Sequence, residues 1–390
     1  MCYTKCITHF VYCFMNQRNP FPVAGYHGSA LFCNRQDEVR RLSANVQNGV
    51  HTTLLSIRRM GKTGLLYHLF DKLGRKRNVF CIYADIYATQ NLKEFTGQLS
   101  SAAFKTFPQK KNIGRHLLDL LKSFRPIFAF DQLTGEPQVS FDYASPRQLE
   151  ESLEGLFLFL DQQEVTIVFA IDEFQQINQY PEKNVEAFLR TLIQPLKNMS
   201  FIFSGSSKDI LHQLFNDSKR PFFGSSKIME LNSIEEKDYE AFIALHFKQH
   251  RRILQREALS FISSFTRLHT YYTQLLCNRL FADGYKNISK EMVQLTCSQL
   301  LKEHENVFFQ YRSLLTKAQW QLLKAIAHED KLYKPGAKSF LSKHRVGTPS
   351  NVQRSLEGLL TKEMIYRDKD DDGKYYRVYD CLLARWLERL

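Results

Sequence analysis

Ser56-Ile57-Arg58-Arg59-Met60-Gly61-Lys62-Thr63 is the stretch on which the reading of this chain turns. It follows an apolar run, Thr53-Leu54-Leu55, and opens an amphipathic one, Leu65-Leu66-Tyr67-His68-Leu69-Phe70. That order reads as strand, loop, helix. The loop ends in Gly-Lys-Thr, the second half of the phosphate-binding P-loop pattern. Backbone N–H groups at a helix N-terminus point at bound phosphate, and the helix dipole favours its negative charge. In that arrangement Gly61 lets the backbone approach closely, Lys62 reaches the outer phosphates and the Thr63 hydroxyl ligates Mg²⁺. Ser56 stands where the pattern has glycine, and it fits only if the backbone there keeps φ negative. Gly64, just inside the helix, costs up to ~1 kcal/mol against alanine. A chance Gly-Lys-Thr in an ordinary strand–loop–helix is the plain alternative.

The 390 residues leave room for two or three domains with sizeable cores. Apolar residues make up 44% and charged residues 24%, the balance of a soluble globular chain. The formal charge of +13 implies attraction to a polyanion and says nothing of fold. The eight cysteines form no CxxC pair and no zinc-spaced cluster, so they read as reduced thiols of a cytoplasmic protein. No run of about 20 apolar residues exists, and no membrane span or membrane partner is expected. Residues 1–18 read as a non-native or disordered extension. Within it Met1–Phe14 is too short and too weakly charged for a signal peptide, and Met15 reads as the true start.

Further along, Asn78-Val79-Phe80-Cys81-Ile82-Tyr83-Ala84-Asp85 fits a strand buried on both faces, as in a parallel sheet. Residues 108–124 are basic and helical in pattern. Pro126–Phe130 and Gln138–Phe141 flank Leu133-Thr134-Gly135-Glu136-Pro137 and predict an inserted β-hairpin. An amphipathic helix follows over Pro146–Gln163. Val165 to Ile171 leads into Asp172-Glu173, and Met199 to Phe203 leads into Ser204-Gly205-Ser206. Strands alternating with helices predict a mostly parallel α/β sheet with ligands at the strands' carboxyl ends. The loop at 56–63, Asp172-Glu173 and Ser204–Ser206 should therefore meet in one crevice.

Asp172-Glu173 after an apolar strand supplies the other half of P-loop chemistry. Asp172 would hold the Mg²⁺ shell and Glu173 would polarise the attacking water. A solvated strand end is the plain alternative. Ser204 and Ser206 are candidates to sense the γ-phosphate, or simply cap a turn. Arg220, about 14 residues past that strand, is a candidate phosphate contact within the chain or across a subunit boundary, or an ordinary surface arginine. Arg58 and Arg59 are solvated loop charges by default, with phosphate neutralisation as the functional alternative.

From about 235 to 310 the pattern is helical with no strong strand. The last 75 or so residues then read as three helices, Thr316–His328, Ala337–His344 and Pro349–Leu360 with Ser350 as a candidate cap. Glu363–Arg367 and Lys374–Tyr379 follow around an Asp-rich turn. This is the layout of a winged helix-turn-helix. Between Lys331 and Lys362 there are seven Lys/Arg and one acid, Glu357. That excess suits DNA phosphates, with Lys343, Asn351 and Arg354 as candidate contacts. Asp368, Asp370, Asp371 and Asp372 at the wing argue against it, and favour a module that packs on its own core or on a protein.

Taken together, these motifs resemble those of STAND-class, AAA+-related prokaryotic P-loop ATPases of the archaeal type. The resemblance rests on Phe32, Arg35 and Glu38, the Arg58–Thr63 loop, Ile171-Asp172-Glu173-Phe174, Phe203–Ser206, Tyr271–Leu276 and the terminal Tyr379-Asp380 and Trp386-Leu387. It implies a P-loop ATPase domain over 19–230, an all-helical lid over 231–310 and a winged helix over 311–390. It implies ATP and Mg²⁺ as ligands, with Arg35 and the Phe32–Glu38 segment near the adenine. Where the family carries Gly-x-Pro in the lid, this chain has Leu268-His269-Thr270. The reading is a cytoplasmic ATP-dependent switch with slow hydrolysis, with protein contact or self-association also open. The alternatives are a DNA-binding protein in which ATP sets affinity, and a scaffold that does not hydrolyse.

Overall fold

The computed structural model describes residues 19–76, 78–107, 116–118, 120, 126–130, 137–141 and 146–390. They fall into two compact units, Gly25–Asn232 and a second made of Asn19–Ala24 with Ser233–Leu390. The expectations for Met15 and for most of 108–124 lie outside the described residues. The first unit is called the sheet unit below, and the second the helical unit.

The sheet unit is built on five parallel strands in the order β2-β5-β6-β1-β7. These are β1 (Thr52–Leu55), β2 (Val79–Asp85), β5 (Thr166–Asp172), β6 (Met199–Gly205) and β7 (Lys227–Glu230). The central strands are apolar on both faces because both faces are covered. On β5, Ile167, Phe169 and Ile171 enter one core with Phe201 and Phe203 of β6. Val168 and Ala170 enter the other, with Leu54 and Ile202. Helices α1 (Gln36–Gln47) and α2 (Lys62–Leu73) cover that second face through Leu42, Leu65 and Leu69. Helices α3 (Leu92–Thr106), α4 (Pro146–Asp161), α5 (Val185–Ile193) and α6 (Lys208–Asn216) cover the first. A separate antiparallel hairpin pairs β3 (Pro126–Phe130) with β4 (Pro137–Phe141). Edge strand β7 is one that sequence reading missed. It is only four residues long, and its buried position is Met229 alone.

The helical unit begins with α7 (Glu236–Gln249), α8 (Arg256–Thr266), α9 (Thr270–Ala282) and α10 (Lys290–Ser313). Two short strands, β8 (Ile253–Leu254) and β9 (Asn287–Ile288), pair in parallel where none was expected. The segment at Asn19–Phe21 belongs to this unit. Phe21 is fully buried among Phe242, Phe247 and Phe281, and Asn278 hydrogen-bonds with Asn19 and Phe21. The winged helix follows as α11 (Lys317–Glu329), α12 (Lys338–His344), α13 (Pro349–Thr361), β10 (Ile365–Asp370), β11 (Gly373–Val378) and α14 (Cys381–Leu387). The cap of α13 is Thr348, whose hydroxyl accepts from the Asn351 N–H, not Ser350. Pro349 at the first helical position places the cap before it.

Helices α7–α10 and the winged helix share a polar clasp. Arg267, only 7% exposed at the end of α8, pairs with Asp330 at 2.6 Å and Glu388 at 3.3 Å. Arg377 of β11 pairs with the same Asp330. Burial alone would raise the Asp330 carboxyl, but Arg267 and Arg377 outweigh it and hold it below its usual range. Arg385 donates to the carbonyls of Phe265 and Ser264, and Trp386 packs between Phe308, Phe309 and Trp320.

Candidate functional site

Parallel strands end together, and here they end in polar residues. The β1–α2 loop turns through Arg59 at φ +62° and Gly61 at φ +93°, the two left-handed positions of the loop. Only Gly61 adopts this without a steric cost. Ser56 is not among the positive-φ residues, so its side chain is tolerated. It is fully buried and its hydroxyl donates to the Ile57 carbonyl at 2.9 Å. Gly64 has the Phe32 ring beside it at ordinary contact distance. The Phe32 ring lies where a Gly64 β-carbon would sit 3.4 Å away, and it stacks on His68 at 4.4 Å. Tyr26 closes the same corner by donating to Asp71 at 3.0 Å and meeting His68 Nδ1 at 2.9 Å.

Asp172 is the meeting point of three strands and the first turn of α2. It is 3% exposed. Thr63 Oγ1 donates to its Oδ2 at 3.0 Å and Tyr83 Oη to the same oxygen at 2.9 Å. Ser204 Oγ donates to Oδ1 at 2.6 Å, joined by the Glu173 N–H at 3.0 Å. Lys62 is 6% exposed beside this carboxylate. Burial pushes its ammonium pKa down, while Asp172 and Glu173 oppose the shift. Asp85 is the register partner of Asp172 on β2. Burial raises its pKa, with Asp172 and Glu173 adding to the rise against one hydrogen bond from the Tyr87 N–H. Tyr83 is held protonated by burial and by Asp172, so it acts as a donor here. Sequence reading missed Tyr83, because only the parallel pairing of β2 with β5 brings it to Asp172.

Glu173 sits at φ +56° and its Oε2 accepts from Ser206 Oγ at 2.9 Å, the Ser206 N–H at 3.3 Å and Gln175 Nε2 at 2.5 Å. Arg58 Nε reaches Ser206 Oγ at 3.5 Å. Loop, β5 end and β6 end thus form one hydrogen-bonded group.

Arg35 and Arg220, in the same unit, have other partners. Arg35 caps α1 at φ +66°, 5% exposed, with Nη1 on Glu38 at 2.8 Å and Nη2 buried without a partner among the described residues. Arg220 is ion-paired to Glu186 and donates to Asn178 Oδ1 at 2.6 Å. In the winged helix, Lys343 is ion-paired to Glu329 at 2.7 Å, while Asn351 and Arg354 are exposed on α13. The acidic wing is partly neutralised, since Asp370 accepts from Lys331 at 2.6 Å and Tyr333 at 2.8 Å.

The donor set fits a magnesium ion. Mg²⁺ binds oxygens octahedrally at about 2.0–2.1 Å, which puts neighbouring ligands about 2.9 Å apart. Thr63 Oγ1 and Asp172 Oδ2 stand 3.0 Å apart. Among the described residues no helix is long and apolar enough to cross a membrane, no His/Cys/Asp/Glu cluster forms a separate metal site, and five cysteines are free thiols.

A family model described as "Probable winged helix domain" matches residues 306–389. No curated protein sequence matches the chain. Among solved structures, a Walker-type ATPase of Pyrococcus abyssi is similar over 95% of this chain and 100% of its own, at TM-score 0.64 and 18% identity. The ORC1 protein of Aeropyrum pernix, solved in complex with DNA, is similar over 95% and 96% at TM-score 0.52 and 12% identity. The ORC2 protein of the same organism, solved in ADPNP–ADP complexes, is similar over 96% and 98% at TM-score 0.50 and 12% identity. A parallel sheet with a phosphate-type loop at its carboxyl edge, followed in the chain by helices and a C-terminal winged helix, is the fold this chain shares with the Walker-type ATPase.

Proposed function

We propose that the chain binds ATP with Mg²⁺ and hydrolyses it slowly, as a nucleotide-controlled switch of the STAND class. The observation that carries this is the convergence of Thr63, Tyr83 and Ser204 on the Asp172 carboxylate beneath the Gly61–Lys62 turn. Magnesium bound with the nucleotide supplies charge neutralisation on the phosphoryl oxygens. Thr63 and Asp172 would hold that ion. Lys62 is already desolvated between two carboxylates, so it gains more from a phosphate than a solvated lysine would. The backbone N–H groups of the loop bind phosphate, with Met60 buried beneath the turn to keep its shape. Glu173 orients the attacking water. Arg58 and Arg59 add positive charge at the loop, Arg35 offers its unpartnered Nη2 on the adenine side, and Ser204 and Ser206 relay the phosphate state to the two carboxylates.

The test is thermal melting with ATP and Mg²⁺, beside Lys62→Ala. Ligand at 100-fold its dissociation constant stabilises the native state by ~2.7 kcal/mol. A shift in the parent that disappears in Lys62→Ala supports the reading, and no shift in either refutes it.

A second reading, DNA contact by the winged helix, is favoured by one observation: Asn351 and Arg354 stand exposed one turn apart on α13. Lys343 serves it less well, being committed to Glu329. Duplex binding whose affinity falls with salt, and falls further with Arg354→Glu, supports it.

A further inference from the structure

The contacts around Glu173 single out one of its two carboxylate oxygens. Three donors, Gln175 Nε2, Ser206 Oγ and the Ser206 N–H, all converge on Oε2. Among the described residues no donor meets Oε1, and Oε1 is not among the buried unpartnered atoms. A glutamate side chain in solution exchanges its oxygens freely, and fixing one leaves the other with a defined direction.

Gln175 is itself fixed from three sides. It is 9% exposed, and its amide oxygen is buried without a partner against the backbone of Gly205. A β-carbon at position 205 would collide with that oxygen and come within 2.8 Å of Leu211 Cδ1. Turning the amide over would aim its oxygen at the Glu173 carboxylate, so the donor orientation is the only stable one. Its backbone carbonyl accepts from Asn178 Nδ2 at 3.3 Å, and Asn178 Oδ1 accepts from Arg220, which Glu186 anchors. A buried amide oxygen left unpaired is destabilising. Such a cost is retained where the donor end of the same amide has work to do.

We propose that Gln175 is a positioning residue for hydrolysis: its amide, wedged against Gly205, holds Oε2 of Glu173 so that Oε1 is presented to the attacking water. This rests on the ATPase reading above and assigns a role within it. It also gives Arg220 a role as the far anchor of the Gln175 loop. Phosphoryl transfer to water depends chiefly on positioning, so orientation of one oxygen is enough to matter.

The experiment measures phosphate release and ATP affinity of the full chain for the parent, Gln175→Met, Gly205→Ala and Glu173→Gln. Methionine keeps the side-chain volume against Gly205 and removes the donor. A β-carbon at 205 displaces the amide while leaving Gln175 in the sequence. The expected result is a kcat lower on the order of 10- to 100-fold in both Gln175→Met and Gly205→Ala, with ATP affinity within about twofold of the parent. Parental kcat in Gln175→Met overturns the proposal, because packing alone would then explain the residue. Affinity falling in step with kcat also overturns it. A parent that binds ATP but releases no more phosphate than Glu173→Gln refutes the hydrolysis reading itself, and this outcome is read before any Gln175 variant is compared.

Discussion

Asp330→Asn tests whether the clasp between α8 and the winged helix holds the helical unit together. Asparagine keeps the shape of the side chain and tolerates the positive φ of this position, so the change removes charge alone. It strands Arg267, which is 7% exposed, and leaves Arg377, 15% exposed, facing it as a like charge. Breaking a buried pair by removing one partner costs about 3–5 kcal/mol. Two features lower that figure. Asp330 is 45% exposed, so solvent screens part of the interaction, and Glu388 remains as a second acceptor for Arg267. About 2 kcal/mol is left. Both tryptophans of the chain, Trp320 and Trp386, lie in this unit with ring centroids 6.2 Å apart. Their fluorescence therefore follows the helical unit alone during urea unfolding. With a urea slope of about 2 kcal/mol/M, the midpoint should drop by about 1 M. Adding Arg267→Met, which removes the stranded cation, should recover part of the loss. A midpoint in Asp330→Asn within about 0.2 M of the parent, on that same slope, would refute the clasp as a stabilising element.

The remaining predictions concern other parts of the molecule. His51 has its pKa pushed down to about 4 by burial and by Arg190, and its Nδ1 accepts from the Phe201 N–H. A folded pKa below the unfolded value of about 6.5 means that the neutral ring stabilises above pH 6.5, and that this contribution is lost as pH falls toward about 4. A loss of up to about 3 kcal/mol over that window is expected by chemical denaturation followed by circular dichroism, and His51→Gln should flatten it. Phe21→Ala empties a filled aromatic site and should cost about 3–5 kcal/mol, read by tryptophan fluorescence. Thr63→Val removes a donor to Asp172 and a magnesium ligand, so the Mg²⁺-dependent part of the ATP melting shift should vanish. Gly64→Val should push Phe32 off His68 and weaken ATP affinity in an equilibrium titration, with no loss of the fold.

The sheet was legible because its strands are buried on both sides, and that leaves an unbroken apolar run such as Ile167–Ile171. The loop and the Asp172-Glu173 pair were legible because each is local in sequence and ends a strand. What stayed hidden depends on lateral pairing or on packing. Tyr83 is an ordinary aromatic in a strand until β2 is set beside β5 in register. Gln175 looks like a polar residue after a motif, and only Gly205 on the adjacent strand explains its fixed orientation. Strand β7 has too few residues for a periodic signal. Ser350 and Thr348 are both good caps by residue type, and the proline between them decides.

The attachment of Asn19–Phe21 to the helical unit has a consequence for how the chain is made. Asn19 donates to the carbonyl of Asn278, 259 residues further on, and the partners of Phe21 begin at Phe242. Domains tend to fold in the order in which they are synthesised, and contacts across long separations form late. The sheet unit, complete by Asn232, can close while the rest is still being translated. The Asn19–Phe21 strap cannot, and must wait with its phenylalanine undocked until α7 and α9 have been made. For most of synthesis Asn19–Phe21 is therefore a loose apolar segment, and the helical unit becomes whole only after the sheet unit.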